Sequence, residues 1–424
     1  MRPQYLIIIF FAALWCASGS LRAQTGWFPL NSGIATNLNS VYFTSADTGY
    51  VVGDGGLILR SFDAGLTWGA VPSGVTEDLN DLYFFGHDSG VVVGDSGRII
   101  RTIDAGVTWA TIASGVTENL YSVSFHCNDR NGVAGGSSQT ILRSADRGRS
   151  WIIVQTGFFG GGFFGADMAS NMIGMVAGEN SIFQPLSAVT TDGAVNWEFH
   201  AFYLNGNEGE ANDVHTFNTN QGIVVSSVWD GTGAVSSTLN GGSDWTTMLV
   251  SDDLNGIDFP TDSTGYIVGS SGIIMKSTDR GATWVDQSSG TSERLGEVSF
   301  PDSSYGVIGY AAGDNGVILK TTTGGVTSVE PTSYAAPTKF GLSNNYPNPF
   351  NPVTLIKVSV AENSRVEIQL FNTLGEKVRT IVDREYSTGT YVLTFDAAGL
   401  TTGTYFYRMQ AGKFVEVKKM VVVR

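Results

Sequence analysis

The sequence predicts an all-β protein with two folded units: a seven-bladed β-propeller closed by its N-terminal strand, followed by a small antiparallel β-sandwich. Three observations lead to this prediction. A phrase of fixed residue types returns about every 40 residues, which is the spacing of four-stranded propeller blades. Glycine accounts for 54 of 424 residues and charged residues for only 15%, as in short strands joined by tight turns. The charge balance also changes sign near residue 341.

The charge break divides the chain into an acidic body and a basic tail. Gln24 to Gly341 contains 12 Lys and Arg against 32 Asp and Glu, and Leu342 to the C-terminus contains 10 against 7. We therefore expect a propeller over residues 24–328, a linker over 329–341 and a sandwich over 342–424. The acidic body argues against nucleic acid as a partner, since phosphates need a basic surface.

The first 23 residues have the pattern of a signal peptide. Arg2 precedes an apolar run from Leu6 to Trp15, and a small residue, Ala23, stands before the expected cleavage site. Lipidation at Cys16 is the alternative, disfavoured by the bulky Trp15 before it. Once the leader is removed, Cys127 is the only cysteine, so we expect no intrachain disulfide. No later segment is expected to cross a membrane.

The repeated phrase is S/T-x-D-x-G-x-T-W. Its aspartates are Asp63, Asp104, Asp146, Asp192 and Asp279, and its tryptophans are Trp68, Trp109, Trp151, Trp197, Trp245 and Trp284. Asn240 replaces the aspartate in one copy, and the last copy, Thr321 to Thr327, lacks both residues. An aspartate at a turn accepts bonds from nearby backbone N–H groups, so we interpret the phrase as a folding device of each blade. It is not a set of catalytic acids.

Three apolar runs precede each phrase and a fourth begins at its tryptophan. In the first unit they are Leu38–Phe43, Gly49–Gly53 and Leu57–Ser61, and in the second Leu79–Phe84, Gly90–Gly94 and Arg98–Thr102. The seventh copy has no tryptophan strand after it, whereas a spare one, Trp27–Leu30, begins the mature chain. We therefore expect the N-terminal strand to complete the last blade and leave no open sheet edge.

The phrases resemble the Asp-box, or BNR, repeat of sialidases and related propellers. Val93 to Trp109 resembles the photosystem II assembly-factor type of repeat more closely. The resemblance implies the propeller fold over about residues 25–328, but such folds carry many functions. The arginine motif of sialidases is missing, because Asn31 to Leu59 contains no Arg. A sialidase-like hydrolase therefore stays as an alternative, as does an assembly factor for a membrane complex.

Acidic residues in the loops at one end of the propeller are the candidate binding site. We expect them to form a rim that attracts cations or a basic partner, with ordinary turn chemistry as the alternative; they are Asp54, Asp95, Glu179, Asp314, Glu77, Glu118 and Glu293. Basic residues recur three positions before the box aspartates, as a docking patch or as solvated side chains: Arg60, Arg101, Arg143, Lys276 and Lys320. We expect no cofactor, and the isolated histidines predict no metal site.

Blades four and five break the repeat. Phe158 to Phe164 places four phenylalanines around three glycines, Trp229 lies outside the repeat register, and Asn205 to Asn212 forms an irregular loop. Insertions in repeat proteins map to binding loops, so we expect exposed aromatic side chains and ligand contact here. Packing of the phenylalanines within the blade is the alternative.

The tail has six alternating apolar runs separated by turn signals, a pattern typical of a sandwich. Its opening segment contains three prolines in the run Tyr346, Pro347, Asn348, Pro349, Phe350, Asn351 and Pro352. Together with Leu370–Gly375 and Gly403–Tyr407, this segment resembles the C-terminal sorting domain of type IX secretion cargo. The resemblance implies export across the outer membrane, and a plain adhesive sandwich is the alternative. We therefore expect a secreted or surface-exposed, non-enzymatic propeller that binds a protein or glycan.

Overall fold

The structure is a computed structural model that describes residues 26–126, 130–154, 160–301, 307–325, 339–345, 348, 353–386, 389–397 and 400–423. The predicted leader, Cys127, Phe158 and Phe159, most of the predicted linker and most of the proline-rich segment lie outside the described residues. The chain divides into two compact units, residues 1–327 and 328–424. No helix among the described residues has the length and apolarity needed to span a membrane.

The described strands of the first unit form seven four-stranded antiparallel sheets. Sheets 1 to 3 follow chain order and consist of β2 (Leu38–Phe43), β3 (Gly49–Gly53), β4 (Leu57–Ser61) and β5 (Gly69–Ala70); β6 (Leu79–Phe85), β7 (Ser89–Gly94), β8 (Arg98–Thr102) and β9 (Ala110–Ile112); and β10 (Leu120–Phe125), β11 (Gly132–Gly136), β12 (Thr140–Ser144) and β13 (Ile152–Val154). The predicted strands of the first two units match β2, β3, β4 and β8, and fall within a residue of β6 and β7.

Sheets 4 to 6 repeat this order. They consist of β14 (Gly162–Asp167), β15 (Gly174–Glu179), β16 (Pro185–Thr190) and β17 (Glu198–Ala201); β18 (Gly209–Thr216), β19 (Gly222–Val228), β20 (Gly233–Thr238) and β21 (Thr246–Val250); and β22 (Leu254–Asp258), β23 (Gly265–Gly269), β24 (Ile274–Ser277) and β25 (Val285–Gln287).

Sheet 7 combines strands from both ends of the first unit. It contains β26 (Leu295–Ser299), β27 (Gly309–Gly313), β28 (Ile318–Thr321) and, on its outer side, β1 (Trp27–Leu30). In this pairing Trp27 lies opposite Thr321 and Leu30 opposite Ile318. Strand β1 therefore takes the place that the tryptophan-bearing segments take in the other sheets.

The same packing contact recurs between the first strand of a sheet and the tryptophan of that sheet. The ring of Trp68 lies edge-on to Phe43, with centroids 5.9 Å apart, and Trp284 lies in the same way on Phe259 at 5.8 Å. Trp27 makes the matching contact in sheet 7, at 6.0 Å from Phe300. Such edge-to-face pairs bury large apolar areas in favourable geometry, so the repeated tryptophan fixes the outer strand on each core.

Sheets 1 and 7 also pack on each other. Phe43 stacks on Tyr310, and Val51 and Leu59 share a buried cluster with Ala312 and Ile318. Similar clusters join sheets 1 and 2, where Tyr50 stacks on Phe84. Buried apolar clusters thus join sheet 1 both to sheet 7 and to sheet 2.

Each of the seven first strands described carries a β-bulge near its start, at the second residue in five of them, the third in β14 and the fourth in β18. The register shifts between Leu38 and Ser40 in β2, and the other six sheets show it at the matching place in β6, β10, β14, β18, β22 and β26. A bulge re-aims the extra side chain out of the regular alternation. This position holds asparagine in four of the sheets: Asn39, Asn80, Asn212 and Asn255.

Short 3-10 turns connect the second and third strands of four sheets, at Asp54–Gly56, Asp95–Gly97, Ser270–Gly272 and Asp314–Gly316. Gly56 has φ +76°, and a Cβ on it would collide with the carbonyl oxygen of Val75 in the loop that enters the next sheet. Glycine is therefore required there both for backbone conformation and for close approach.

The second unit consists of two antiparallel sheets. One contains β29 (Gly341–Leu342), β30 (Val353–Val360) and β33 (Gly389–Asp396), and the other β31 (Ser364–Phe371), β32 (Lys377–Tyr386), β34 (Gly403–Ala411) and β35 (Phe414–Val422). Their buried residues form one core that includes Ile356, Ile368, Tyr407 and Met420. The six predicted runs correspond to six of these strands, and β29 was not predicted.

Candidate functional site

The repeat turns are held together by their aspartates. In the first sheet the Asp63 carboxylate accepts bonds from the Thr67 N–H at 2.9 Å and the Thr67 hydroxyl at 2.6 Å, and the Ser61 hydroxyl donates to it at 2.8 Å. These bonds lower the pKa of Asp63, and the same arrangement around Asp104 lowers its pKa to about 2. The carboxylate thus closes the turn from both sides.

The recurring basic residues tie each sheet to the next. Each donates to the backbone carbonyl that follows the box position of the neighbouring sheet: Arg60 to Ala105 (2.8 Å), Arg101 to Arg147 (3.1 Å), Arg143 to Gly193 (2.6 Å), Lys276 to Gly324 (3.0 Å) and Lys320 to Ala64 (2.9 Å). We call these five bonds the cation latches. The expected solvated side chains are wrong, because the charged groups are engaged between sheets, and the docking patch stays a prediction. Val189 and Ser237 stand at the matching positions of sheets 4 and 5.

Most of the predicted rim carboxylates have partners within the propeller. Asp54 accepts bonds from the amides of Asn37 and Asn39, and Asp95 from that of Asn80. Glu77 pairs with Arg98, and Asp314 lies 3.8 Å from Arg294.

The two remaining loop glutamates also have local partners. Glu118 accepts a bond from the Thr117 N–H at 2.9 Å, and Glu293 from the side chain of Asn315 at 2.7 Å. Six of the seven residues named from the sequence are therefore used in turns and sheet contacts. Glu179 differs from them.

Glu179 is buried, with 7% of its surface exposed, and its Oε2 atom has no hydrogen-bond partner. Burial, together with the nearby charge of Glu210, raises the pKa of Glu179 to about 7. An unpaired buried carboxylate is costly, so this residue stands apart from the rest of the predicted rim.

The first strands of all seven sheets line a central cavity of about 870 Å³. Six carboxylates of these strands line it: Asp81, Asp167, Glu210, Asp213, Asp258 and Glu297. Sequence reasoning missed all six. Strand alternation could have indicated Asp81 and Glu297, the third residues of β6 and β26, and Asp213 and Asp258, the fifth residues of β18 and β22.

Four of these carboxylates bind the backbone of the next sheet. Asp81 accepts a bond from the Val123 N–H at 2.7 Å, and Asp213 accepts one from the Ile257 N–H at 2.9 Å. At the ends of β14 and β22, Asp167 and Asp258 accept bonds from the N–H groups of Thr216 (2.6 Å) and Phe300 (2.8 Å). These four acids are therefore sheet-to-sheet contacts.

Burial and mutual repulsion shift the pKa values of the cavity acids. Desolvation raises the pKa of Asp81 to about 6, despite the bonds that it accepts. The pKa values of Asp213 and Glu297 are also raised, first by burial and then by the charges of the neighbouring acids. No group of three or more metal-binding side chains occurs in the described part of the chain.

Blades four and five present an exposed aromatic pair. Phe183 is 49% and Trp229 54% exposed, and their ring centroids are 4.9 Å apart. The expectation for Phe163 is wrong, because its side chain is fully buried in the core between sheets 3 and 4. Phe164 is half-buried and lies beside Tyr121 at the cavity wall.

In the second unit, one residue of the proline-rich segment is described. The Asn348 side chain donates to the carbonyl of Lys419 at 3.1 Å and accepts a bond from the Val421 N–H at 2.8 Å. It therefore makes two hydrogen bonds with the backbone of the edge strand β35. The other residues of the predicted sorting motif lie outside the described residues.

Two families of known proteins match parts of the chain. The family described as photosynthesis system II assembly factor YCF48 matches residues 20–115 and 66–198, and the secretion system C-terminal sorting domain family matches residues 344–423. Both resemblances stated from the sequence are confirmed over these residues. No curated protein matches the chain.

Solved structures of similar fold include two YCF48 proteins and a WD40 propeller domain. A YCF48 bound to a D1 peptide is 18% identical over 71% of this chain and all of its own, with a TM-score of 0.56. YCF48 from Cyanidioschyzon merolae is 18% identical over 70% of this chain and 98% of its own, with a TM-score of 0.55. The WD40 propeller domain of Doa1 is 13% identical over 70% and 96%, with a TM-score of 0.54. At these identities the likeness concerns the fold, so the first unit is a β-propeller.

Proposed function

We propose that the protein is an exported, non-enzymatic propeller that binds a polypeptide ligand and is delivered by its C-terminal unit. The observation that carries the proposal is that polar groups at the propeller axis are engaged in hydrogen bonds between neighbouring sheets. Four of the six cavity carboxylates accept bonds from backbone N–H groups of the next sheet. An acid held in this way is an acceptor in the scaffold and not a proton donor to a substrate.

A closed ring of seven blades is part of this proposal. It is supported by the pairing of β1 with β28, by the latch from Lys320 to Ala64 and by the cluster shared between sheets 1 and 7. A rigid ring with short loops at its ends is a common scaffold for ligand binding, because the loops can vary without disturbing the core.

A sialidase-like hydrolase is the alternative that this geometry opposes. Its chemistry requires several arginines that hold a substrate carboxylate. Among the described residues, Arg294 is the only arginine that lines the cavity, and it lies beside Asp314. A peptide ligand is favoured instead by the solved YCF48 structure of the same fold, which contains a D1 peptide.

Export by the C-terminal unit is supported by the match of residues 344–423 to the sorting domain family. We expect a host with a type IX secretion system to place the full chain outside the cell, and a chain that lacks residues 342–424 to stay in the periplasm. Fractionation and immunoblotting measure this. External delivery of the truncated chain would contradict the proposal, and a chain truncated inside the predicted leader controls for entry into the periplasm.

The absence of catalysis is tested with fluorogenic sialoside and β-glycoside substrates. We expect hydrolysis by the purified protein to equal that of an Asp81→Asn, Asp213→Asn double variant. Turnover that the double variant abolishes would overturn the non-enzymatic assignment. Circular dichroism of both proteins distinguishes a lost activity from a lost fold.

A further inference from the structure

We propose that the propeller binds a lysine or arginine side chain of its polypeptide ligand at a corner formed by Glu179, Phe183, Glu210 and Trp229. We call this group the acidic aromatic corner. The inference rests on the proposed binding function and names the ligand chemistry. It combines an unpaired buried carboxylate, an exposed aromatic pair and a sector without any cation of its own.

Glu179 occupies the place that Asp54 occupies in the first sheet. The register shows this, because Gly178 lies opposite Phe163 as Gly53 lies opposite Leu38. In sheet 1 the carboxylate is satisfied by two asparagines, Asn37 at 3.0 Å and Asn39 at 3.2 Å. Sheet 4 has Gly162 and Phe164 at those two positions. The donors that neutralise the carboxylate elsewhere are therefore replaced by residues that cannot donate from a side chain.

Glu210 occupies the next position around the rim. The matching residues of sheets 2 and 3 accept a backbone N–H from the turn of the preceding sheet: Asp78 from Gly55 at 2.7 Å and Asn119 from Ser96 at 2.9 Å. Glu210 thus stands beside the turn that begins at Glu179, which agrees with its effect on the pKa of Glu179. Within the described part of the chain, no side chain is found to donate to either glutamate.

The aromatic pair belongs to the same corner. Phe183 lies in the turn that follows Glu179, and its carbonyl oxygen accepts a bond from the Gly209 N–H at 3.4 Å. Trp229 donates its backbone N–H to Glu208 at 3.4 Å. The backbones of both aromatic residues are therefore bonded to the segment that leads into Glu210. A cation over exposed aromatic faces is attracted by the ring quadrupole, and its methylene stem packs on the rings.

The surrounding sector strengthens this attraction. Residues 150–275 contain no lysine or arginine and 13 aspartates and glutamates. No cation in this stretch can fill the corner, and its negative field favours the approach of a basic segment. A metal ion fits less well, because no group of three metal-binding side chains occurs among the described residues. The exposed Ile182 lies in the same turn. A peptide covers this apolar side chain as well as the corner, whereas a small polyamine leaves it in contact with water.

The test measures fluorescence anisotropy of a labelled arginine-rich peptide with the purified full chain. Its control is the same peptide with citrulline, the neutral isostere, at each arginine. We expect the citrulline peptide to bind at least about tenfold more weakly, as for the loss of a charge-assisted contact. Glu210→Gln should weaken the arginine peptide by about tenfold, and Trp229→Ala by about threefold, the size of an exposed cation–π contact.

Matched controls remove the same groups elsewhere. Glu198→Gln removes an exposed charge from the outer strand β17 of the same sector, and Phe62→Ala removes an exposed ring from sheet 1. Neither should change the Kd by more than about twofold, since screened charges at a distance contribute little. Thermal unfolding of each variant shows whether it is folded.

Four results would overturn the inference. Equal binding of the citrulline peptide would exclude a cation site. Equal weakening by Glu198→Gln and Glu210→Gln would show that the effect comes from the overall negative charge of the sector and not from the corner. Loss of peptide binding in millimolar calcium at constant ionic strength would assign the corner to a metal. Arginine-peptide binding that no corner variant alters would refute this site alone. Failure of tail-dependent export would instead refute the proposed function.

Discussion

Replacing Trp27 tests whether the N-terminal strand closes the propeller. Its side chain is 6% exposed, packs edge-on against Tyr266 and Phe300 at 6.2 and 6.0 Å, and donates its indole N–H to Gln287 at 2.9 Å. Truncation of a buried tryptophan to alanine costs about 3–5 kcal/mol through lost burial and the cavity left behind. Gln287 also loses a donor, so we expect Trp27→Ala to lower the free energy of unfolding by about 4 kcal/mol.

The assay is urea unfolding followed by far-ultraviolet circular dichroism. For a unit of this size, a loss of about 4 kcal/mol lowers the urea midpoint by more than about 1 M. The control is Trp229→Ala, which removes an exposed ring and should change the free energy of unfolding by less than about 0.5 kcal/mol. If Trp27→Ala and Trp229→Ala have the same midpoint, the N-terminal strand does not hold the ring together.

Three further changes probe the latches, the cavity and the tail. Lys320→Met removes the latch to Ala64 and should lower the free energy of unfolding by about 1.5–3 kcal/mol, measured by urea unfolding, whereas the exposed Lys413→Met should be neutral. The raised pKa of Asp81 means that the folded state holds its proton more tightly than the unfolded state, so stability falls as pH rises from about 4 to about 6. Lowering the pH from 7 to 5 should therefore stabilise the fold by about 1 kcal/mol through this group, and Asp81→Asn should reduce that gain. Asn348→Ala removes both bonds to β35 and should increase proteolysis of the tail, while Gln410→Ala, at an exposed position of β34, serves as its surface control.

Each of these results has a contrary outcome. Equal destabilisation by Lys320→Met and Lys413→Met would show that the latch contributes nothing beyond general charge. A pH profile that Asp81→Asn leaves unchanged would assign the dependence to Asp213 and Glu297. Tail proteolysis that Asn348→Ala does not alter would show that the two bonds of Asn348 do not protect β35.

The strand positions could be predicted because turn residues punctuate the sequence so regularly. Gly49, Gly53 and Ser61 bound strands β3 and β4 where the structure has them, since glycine and serine mark the bends at which a strand must stop. The pairing of Trp27 with Thr321 followed from counting tryptophan strands. Local chemistry and repetition were sufficient for both.

Contacts between sheets could not be predicted in this way. Arg60 and its acceptor Ala105 are 45 residues apart, and the bond depends on the angle between two sheets, which periodicity does not encode. The asparagine donors that neutralise Asp54 were missed for a similar reason, because a β-bulge turns Asn39 toward it. From the sequence alone, such a loop carboxylate is interpreted as unpaired, although the fold supplies its hydrogen-bond donors.

The latches are missing at two consecutive seams, since Val189 and Ser237 replace the cation in sheets 4 and 5. These two seams are joined instead by carboxylates of the cavity wall, because Asp167 accepts a bond from the Thr216 N–H and Asp213 accepts one from the Ile257 N–H. The two joints beside Glu179 and Trp229 therefore contain acceptors and no latch cation. A basic side chain that approaches this side meets no like charge from these joints that would repel it.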